Sequence, residues 1–164
     1  MTVVLVGFMG AGKTTVGRIL AERLGLPFVD CDVLIEQRQG RPIKDIFETE
    51  GEEFFRELEH RTVTGLLQGQ DAVVALGGGA LGDVRTREAL RNARVVYLRV
   101  SYDEALGRVR SDKFRPMLRR PDLAAVYDAR ATVYEETADV TVDTDGRHPD
   151  EVAQTVLERL AALA

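Results

Sequence analysis

Apolar residues fall along this chain in two alternating patterns. Short continuous runs, Thr2 to Val6, Pro27 to Asp30, Ala72 to Leu76 and Val95 to Val100, are rich in valine and read as buried strands, with Val140 to Val142 a weaker fifth. Between them the spacing lengthens to helical periods. Lys13 to Leu24 places Val16, Ile19, Leu20 and Leu24 on one stripe and is closed by Gly25 and Pro27. Gly51 to Leu67 carries Phe54, Phe55, Leu58, Val63 and Leu66. Pro149 opens a last helix that directs Val152, Val156, Leu157, Leu160 and Leu163 inward. Strands that are apolar on both faces and separated by helices predict an α/β fold, its five-stranded parallel sheet covered on both sides. Ligands on such sheets bind at the carboxyl ends of the strands. Binding residues are therefore expected directly after Val6, Val29, Leu76 and Val100.

Composition narrows the class. With 164 residues the chain is expected to form a single domain, 1–164, large enough to build a core without staples. The net charge of −5 argues against a nucleic-acid or anionic-membrane binder. Uncharged runs such as Thr2 to Gly12 and Ala72 to Gly82 fall short of the ~18 residues a membrane helix needs. No basic stretch precedes the first of them, so no signal peptide is expected. Cys31 is the lone cysteine, which fits a reducing cytoplasm. No apolar helix face stands out as an interface, and a monomer is expected.

The chemistry starts directly after the first strand. Residues Gly7 to Thr15 read GFMGAGKTT and match G-x-x-x-x-G-K-[ST] at Gly7, Gly12, Lys13 and Thr14. Glycines let the backbone curl so that successive N–H groups face phosphate oxygens, and the following helix turns its positive end to the same anion. Lys13 adds a point charge for the β- and γ-phosphates, and the Thr14 hydroxyl suits Mg²⁺. A dinucleotide-binding loop is the nearest alternative, with Gly10, Gly12 and Asp30 in suggestive places. It fails because Thr15 occupies the third glycine position and Lys13-Thr14 has no purpose in it.

Three further clusters follow. At the tip of the second strand, Asp30 and Asp32 lean to one side if the extended form persists, and could organise Mg²⁺ or orient a substrate hydroxyl. Alternatively Asp32 caps a helix beginning at Val33. Cys31 reads as a small buried hydrophobe. Gly77, Gly78 and Gly79 follow the third strand, a run costly in chain entropy unless something approaches that backbone closely. Arg56, with Glu59 three residues on, is either a surface ion pair or a carboxylate-binding arginine held by its neighbour. The segment RVRSDKFRPMLRR, Arg108 to Arg120, is a basic run in an acidic chain. It is either a solvated loop or a mobile lid that supplies an arginine to transferring phosphate. His60 and His148 show no metal-ligand spacing.

Taken together, GFMGAGKTT, DCD, FFRELE, LGGG, FRP and Arg130 ahead of Tyr134 resemble shikimate kinase, in order and from Val3 to Pro149. The resemblance implies a nucleoside-monophosphate-kinase-like P-loop fold of three layers, α/β/α, with a lid at about 110–121 and a shikimate-binding helical region at about 32–62. It implies transfer of the ATP γ-phosphoryl to the 3-hydroxyl of shikimate, with Mg²⁺, in aromatic amino acid biosynthesis. Gly10, Ala11, Gly12, Lys13, Thr14 and Thr15 would wrap the phosphates, with Thr14 on Mg²⁺ directly and Asp30 through water. Asp32 would bind the attacking hydroxyl, as orienting group or as base. Arg56 and Arg130 would grip the carboxylate, Gly77, Gly78 and Gly79 would approach the substrate, and Phe47 and Phe55 would wall its ring. Arg115 would contact transferring phosphate, and Arg108, Arg147 and Pro149 would flank the adenine. Two departures stand out. Met117 sits where the family often has leucine, and RATVY, Arg130 to Tyr134, replaces the common R-x-P-L-Y, which leaves Arg119 or Arg120 as alternative partners for the carboxylate. Among other functions, a gluconate or nucleoside-monophosphate kinase shares the cradle, whereas a GTPase-type switch would need an N-K-x-D that is absent from the sequence.

Overall fold

The computed structural model of the chain describes residues 1–109 and 120–164. Five strands form one sheet: β1 (Val3–Val6), β2 (Phe28–Asp30), β3 (Val73–Ala75), β4 (Arg94–Arg99) and β5 (Val140–Asp143). Their order is β2-β3-β1-β4-β5 and every pairing is parallel. Helices α1 (Lys13–Leu24), α2 (Cys31–Gln39), α3 (Ile43–Glu50), α4 (Glu52–Gln68), α5 (Val84–Ala89), α6 (Tyr102–Val109), α7 (Leu123–Thr137) and α8 (Pro149–Ala162) lie between and after the strands. The chain thus runs from the central β1 to the β2 edge, returns through β3, and then crosses over β1 to β4 and β5 on the other side. The loop after β1 sits where the winding reverses, the position at which such sheets bind ligands.

Burial explains the valine-rich runs. All four residues of β1 are buried, as are Val73, Val74 and Ala75 of β3, because helices cover the sheet. The core is built from Leu5, Leu20, Ile46, Val96, Leu98, Val142 and Val156, all fully inaccessible. Helix α1 packs on α8 and on β3, while α7 packs on β4. The alignment of Leu5 with both Ala75 and Val96 brings the ends of the three central strands level.

The structure corrects several local expectations. Helix α2 begins at Cys31, not Val33, and its cap is Asp30, whose Oδ1 accepts from the Val33 N–H at 3.2 Å. Pairing of Asp30 with Ala75 keeps β2 extended up to that residue, and the helix starts immediately afterwards. The alternation that would set Asp30 and Asp32 on one side is therefore broken. Cys31 is fully buried, and burial pushes its thiol well above the ordinary range. The apolar spacing puts Leu24 on the α1 stripe and Leu163 on the inner side of α8, but each lies at a helix end and is about 40% exposed.

Candidate active site

The loop after β1 is shaped by its glycines. Gly10 has φ +81°, and a methyl group there would stand 2.9 Å from the Ala105 carbonyl oxygen. Gly12, at φ +89°, turns the chain into α1 without a side-chain cap. Among the described residues the N–H groups of Gly10, Gly12 and Thr14 have no hydrogen-bond acceptor, so they remain available to an anion. Ala11 is buried and Thr15 follows on the first turn of α1. The Lys13 ammonium donates to the carbonyls of Gly7 at 2.6 Å and Phe8 at 3.2 Å, which holds it over the loop.

Asp30 and Asp32 part company. Asp30 Oδ2 accepts from the Thr14 hydroxyl at 3.1 Å while its other oxygen caps α2. This pair of oxygen donors beside the cradle is what a hard cation such as Mg²⁺ takes. Among the described residues no cluster of three or more His, Cys, Asp or Glu could hold a metal. Asp32 instead points at the turn after β3, where a methyl built on Gly77 would lie 2.8 Å from its Oδ1. That oxygen is buried and has no hydrogen-bond partner among the described residues. Burial, reinforced by the charge of Asp30, pushes the Asp32 carboxyl up to about 6, against the pull of Lys13 and Arg56.

Two arginines reach the same turn. A methyl on Gly79 would stand 2.5 Å from an Arg56 terminal nitrogen and 2.9 Å from one of Arg130, and a methyl on Gly78 would stand 3.1 Å from Arg130. The three glycines thus leave the space in which the ends of Asp32, Arg56 and Arg130 meet. Arg56 is steadied by Glu59, Nη1 to Oε1 at 2.7 Å, and lies over the Phe55 ring. Glu59 is only 2% exposed, and burial outweighs the adjacent guanidinium to push its carboxyl up to about 7. Phe47 and Phe55 stack at 4.9 Å beside it. A cleft of about 720 Å³ opens here, lined by Glu52, Arg56, Gly78, Gly79, Arg130 and Tyr134 among others.

The remaining residues fall around this centre. Arg108 donates to the Gly10 carbonyl at 2.9 Å and to the Thr144 carbonyl at 2.9 Å, tying the cradle to the loop after β5. Arg147 is bound to Thr155 at 2.6 Å, and Pro149 begins α8 in the same stretch. Arg120 turns aside to Asp122, at 2.8 Å and 2.9 Å. Arg115 and Arg119, with most of the expected lid, lie outside the described residues. Tyr134 has no role in the sequence reading beyond its place in the motif; the structure buries it against Tyr97 with its hydroxyl on the Gly78 carbonyl. The helical spacing between Arg130 and Tyr134 was the available signal, one turn apart on the same face.

A P-loop sequence at the reversal point of a parallel sheet, with Asp32, Arg56 and Arg130 gathered on the turn after the neighbouring strand, defines a P-loop kinase of the nucleoside-monophosphate-kinase-like class. Comparison with known proteins narrows this. A family model described as shikimate kinase matches residues 9–161. The shikimate kinase of Streptomyces avermitilis is 48% identical over 161 residues, covering 96% of this chain and 94% of its own. That of Mycobacterium avium is 44% identical over 163 residues, covering 97% and 93%. The structure of shikimate kinase from Acinetobacter baumannii in complex with shikimate superposes with a TM-score of 0.93 at 39% identity, over 98% of this chain and 93% of that one. The chain belongs to the shikimate kinase family, whose members are ATP-dependent phosphotransferases.

Proposed function

We propose that this chain transfers the γ-phosphoryl of ATP to the 3-hydroxyl of shikimate, using Asp32, Arg56 and Arg130 to hold the acceptor and the Gly7 to Thr15 loop to hold the donor. The observation that carries the residue assignment is the meeting of those three side chains on Gly77–Gly79, beside the cradle. An anionic polyol needs cationic partners for its carboxylate and an acceptor for its reacting hydroxyl, and this turn offers both.

Each part has a physical task. Arg56 and Arg130 bind the carboxylate, while Phe47 and Phe55 wall the ring and Gly77, Gly78 and Gly79 allow close approach. Asp32 accepts the hydrogen bond of the attacking hydroxyl, which orients it. With its carboxyl near 6 it is ionised at neutral pH and is placed to take the proton as the new P–O bond forms and the bond to the leaving ADP oxygen breaks. Lys13 meets the charge on the phosphates. Thr14 and Asp30 would hold Mg²⁺, which when bound neutralises phosphate charge. Gly10, Ala11, Gly12 and Thr15 complete the backbone wrap, and Arg108, Arg147 and Pro149 flank the adenine. Arg115 is assigned the transferring phosphate. The chain is read as a cytoplasmic monomer. Its lone cysteine is buried, and its exposed large apolar side chains, among them Leu24, Val33, Phe54 and Val84, sit on separate helices. Among the described residues no helix is long and apolar enough to cross a membrane.

The test is ADP release from Mg·ATP with shikimate, with gluconate and with neither. Shikimate-dependent turnover at or above about 1 s⁻¹, the low end for kinases, is expected. Faster turnover with gluconate would overturn the acceptor, and a rate indifferent to either would overturn the kinase reading of this site.

A further inference from the structure

Three consecutive glycines make the turn after β3 the freest stretch of backbone near the cleft, yet three side chains depend on where it lies. Local hydrogen bonds hold only its two ends. The Gly77 carbonyl accepts from Ala80 N–H at 3.2 Å and the Gly79 carbonyl from Gly82 N–H at 3.1 Å. Between them the Gly78 carbonyl has no backbone donor, and the N–H groups of Gly77, Gly78 and Gly79 have no acceptor among the described residues. The peptide linking Gly78 to Gly79 is therefore unrestrained by secondary structure. The Tyr134 hydroxyl is what reaches it, donating to the Gly78 carbonyl.

From this we infer that Tyr134 is a positioning residue for the acceptor site: by pinning the Gly78 carbonyl it fixes the peptide plane that presents the glycine turn to Asp32, Arg56 and Arg130. In a trans peptide the C=O and the next N–H point opposite ways, so holding the Gly78 oxygen on Tyr134 turns the Gly79 N–H to the other side. Tyr134 is itself well anchored. It is 2% exposed, packs on Tyr97 at 5.1 Å between ring centres and belongs to α7. Burial raises its phenol above the ordinary range, so it remains a donor at all working pH. Arg130 stands one turn earlier on the same helix, so a single element sets both the turn and one of the cations that meets it. The role rests on the shikimate reading above, since the quantity it controls is the fit of that acceptor.

The experiment compares Tyr134→Phe with the wild-type chain, and with Tyr97→Phe as the control for losing a buried hydroxyl from the same ring pair. Wild-type turnover of shikimate is measured first, so failure of the functional reading would be seen before any variant is judged. Tyr134→Phe is expected to raise the shikimate KM about five- to tenfold while the ATP KM stays within about twofold, and Tyr97→Phe to change neither. In the same variant, ¹⁵N order parameters of Gly78 and Gly79 are expected to fall from about 0.85 towards 0.6. An unchanged shikimate KM overturns the inference. Equal rises in both KM values, with the control behaving alike, overturn it too and leave Tyr134 a core residue. Should Tyr134→Phe not fold, the wild-type order parameters decide, because values already below about 0.6 mean that nothing pins the turn.

Discussion

Lys13 holds its ammonium over the cradle by donating to two backbone carbonyls, and phosphate oxygens would compete for the same hydrogens. If its charge acts on groups that gain charge during transfer, as proposed, Lys13→Ala should lower kcat by about 10²-fold or more in the ADP-release assay. Near-normal turnover would remove it from the chemistry. Arg56 answers a different question, since it would bind the acceptor rather than the transferring group. Arg56→Ala should weaken shikimate binding by about 2–3 kcal/mol in calorimetry, with ATP affinity little changed. An unaltered Kd would reject the pairing. Glu59 predicts a pH effect on stability. Its carboxyl binds a proton more tightly in the folded chain, at about 7, than at its ordinary 4.5. The stabilisation from that proton is complete below about pH 4.5 and is lost as pH rises through 7. Glu59→Gln keeps an oxygen for Arg56 but does not titrate, so urea unfolding should favour the variant over wild type more at pH 8 than at pH 5. The same difference at both pH values would mean that Glu59 is ionised throughout.

Elements were legible in the sequence where their signals are local. Strand β1, the glycine loop and α1 form one contiguous run of valines, glycines, Lys-Thr and a helical stripe, each piece fixed by its neighbours. Gly10 makes the point testable. Gly10→Ala forces a side chain into left-handed backbone, at a cost of about 1–2 kcal/mol, and against the backbone of Ala105, so both Tm and ATP affinity should fall. Helix α3 carries Ile43, Ile46 and Phe47 on one face, but over eight residues that is a single helical repeat, too short to stand out, and α7 is harder still because it buries only Leu123 and Tyr134, eleven residues apart. Along α7 there is no stripe and so no period to read. The start of α2 was misplaced for another reason. Asp30 and Asp32 can both cap, and the choice between them is made by the pairing of β2 with β3, more than forty residues away in sequence. The same limit applies to the acceptor site. DCD, FFRELE and LGGG are visible as motifs, but that Asp32, Arg56 and Arg130 share one turn is a fact of packing.

For the molecule as a whole, the proposed donor and acceptor places share the carboxyl edge of the sheet, so a bound pair of ligands should stabilise the fold together. Shikimate with a non-hydrolysable Mg·nucleotide, each at 100 times its Kd, should add about 2.7 kcal/mol per independent site and raise Tm accordingly. No shift would mean that the cleft is not the binding place. Removal of divalent cation with EDTA should abolish turnover while leaving the Tm of the ligand-free chain unchanged, because the oxygen pair at Thr14 and Asp30 already satisfies itself. A fall in Tm would instead indicate a structural metal. The sheet itself carries one more consequence. Asp30, the glycine turn and the phosphate cradle leave the tips of β2, β3 and β1, three neighbours aligned at Asp30, Ala75 and Leu5. Adjacent strands are held about 4.8 Å apart by their backbone ladder. That ladder works as a ruler: the loops that would hold nucleotide and acceptor leave the sheet at a separation graduated in strand widths, so the distance a phosphoryl group would cross is set at its base by the backbone ladder and trimmed by the helices that carry Arg56, Arg130 and Tyr134.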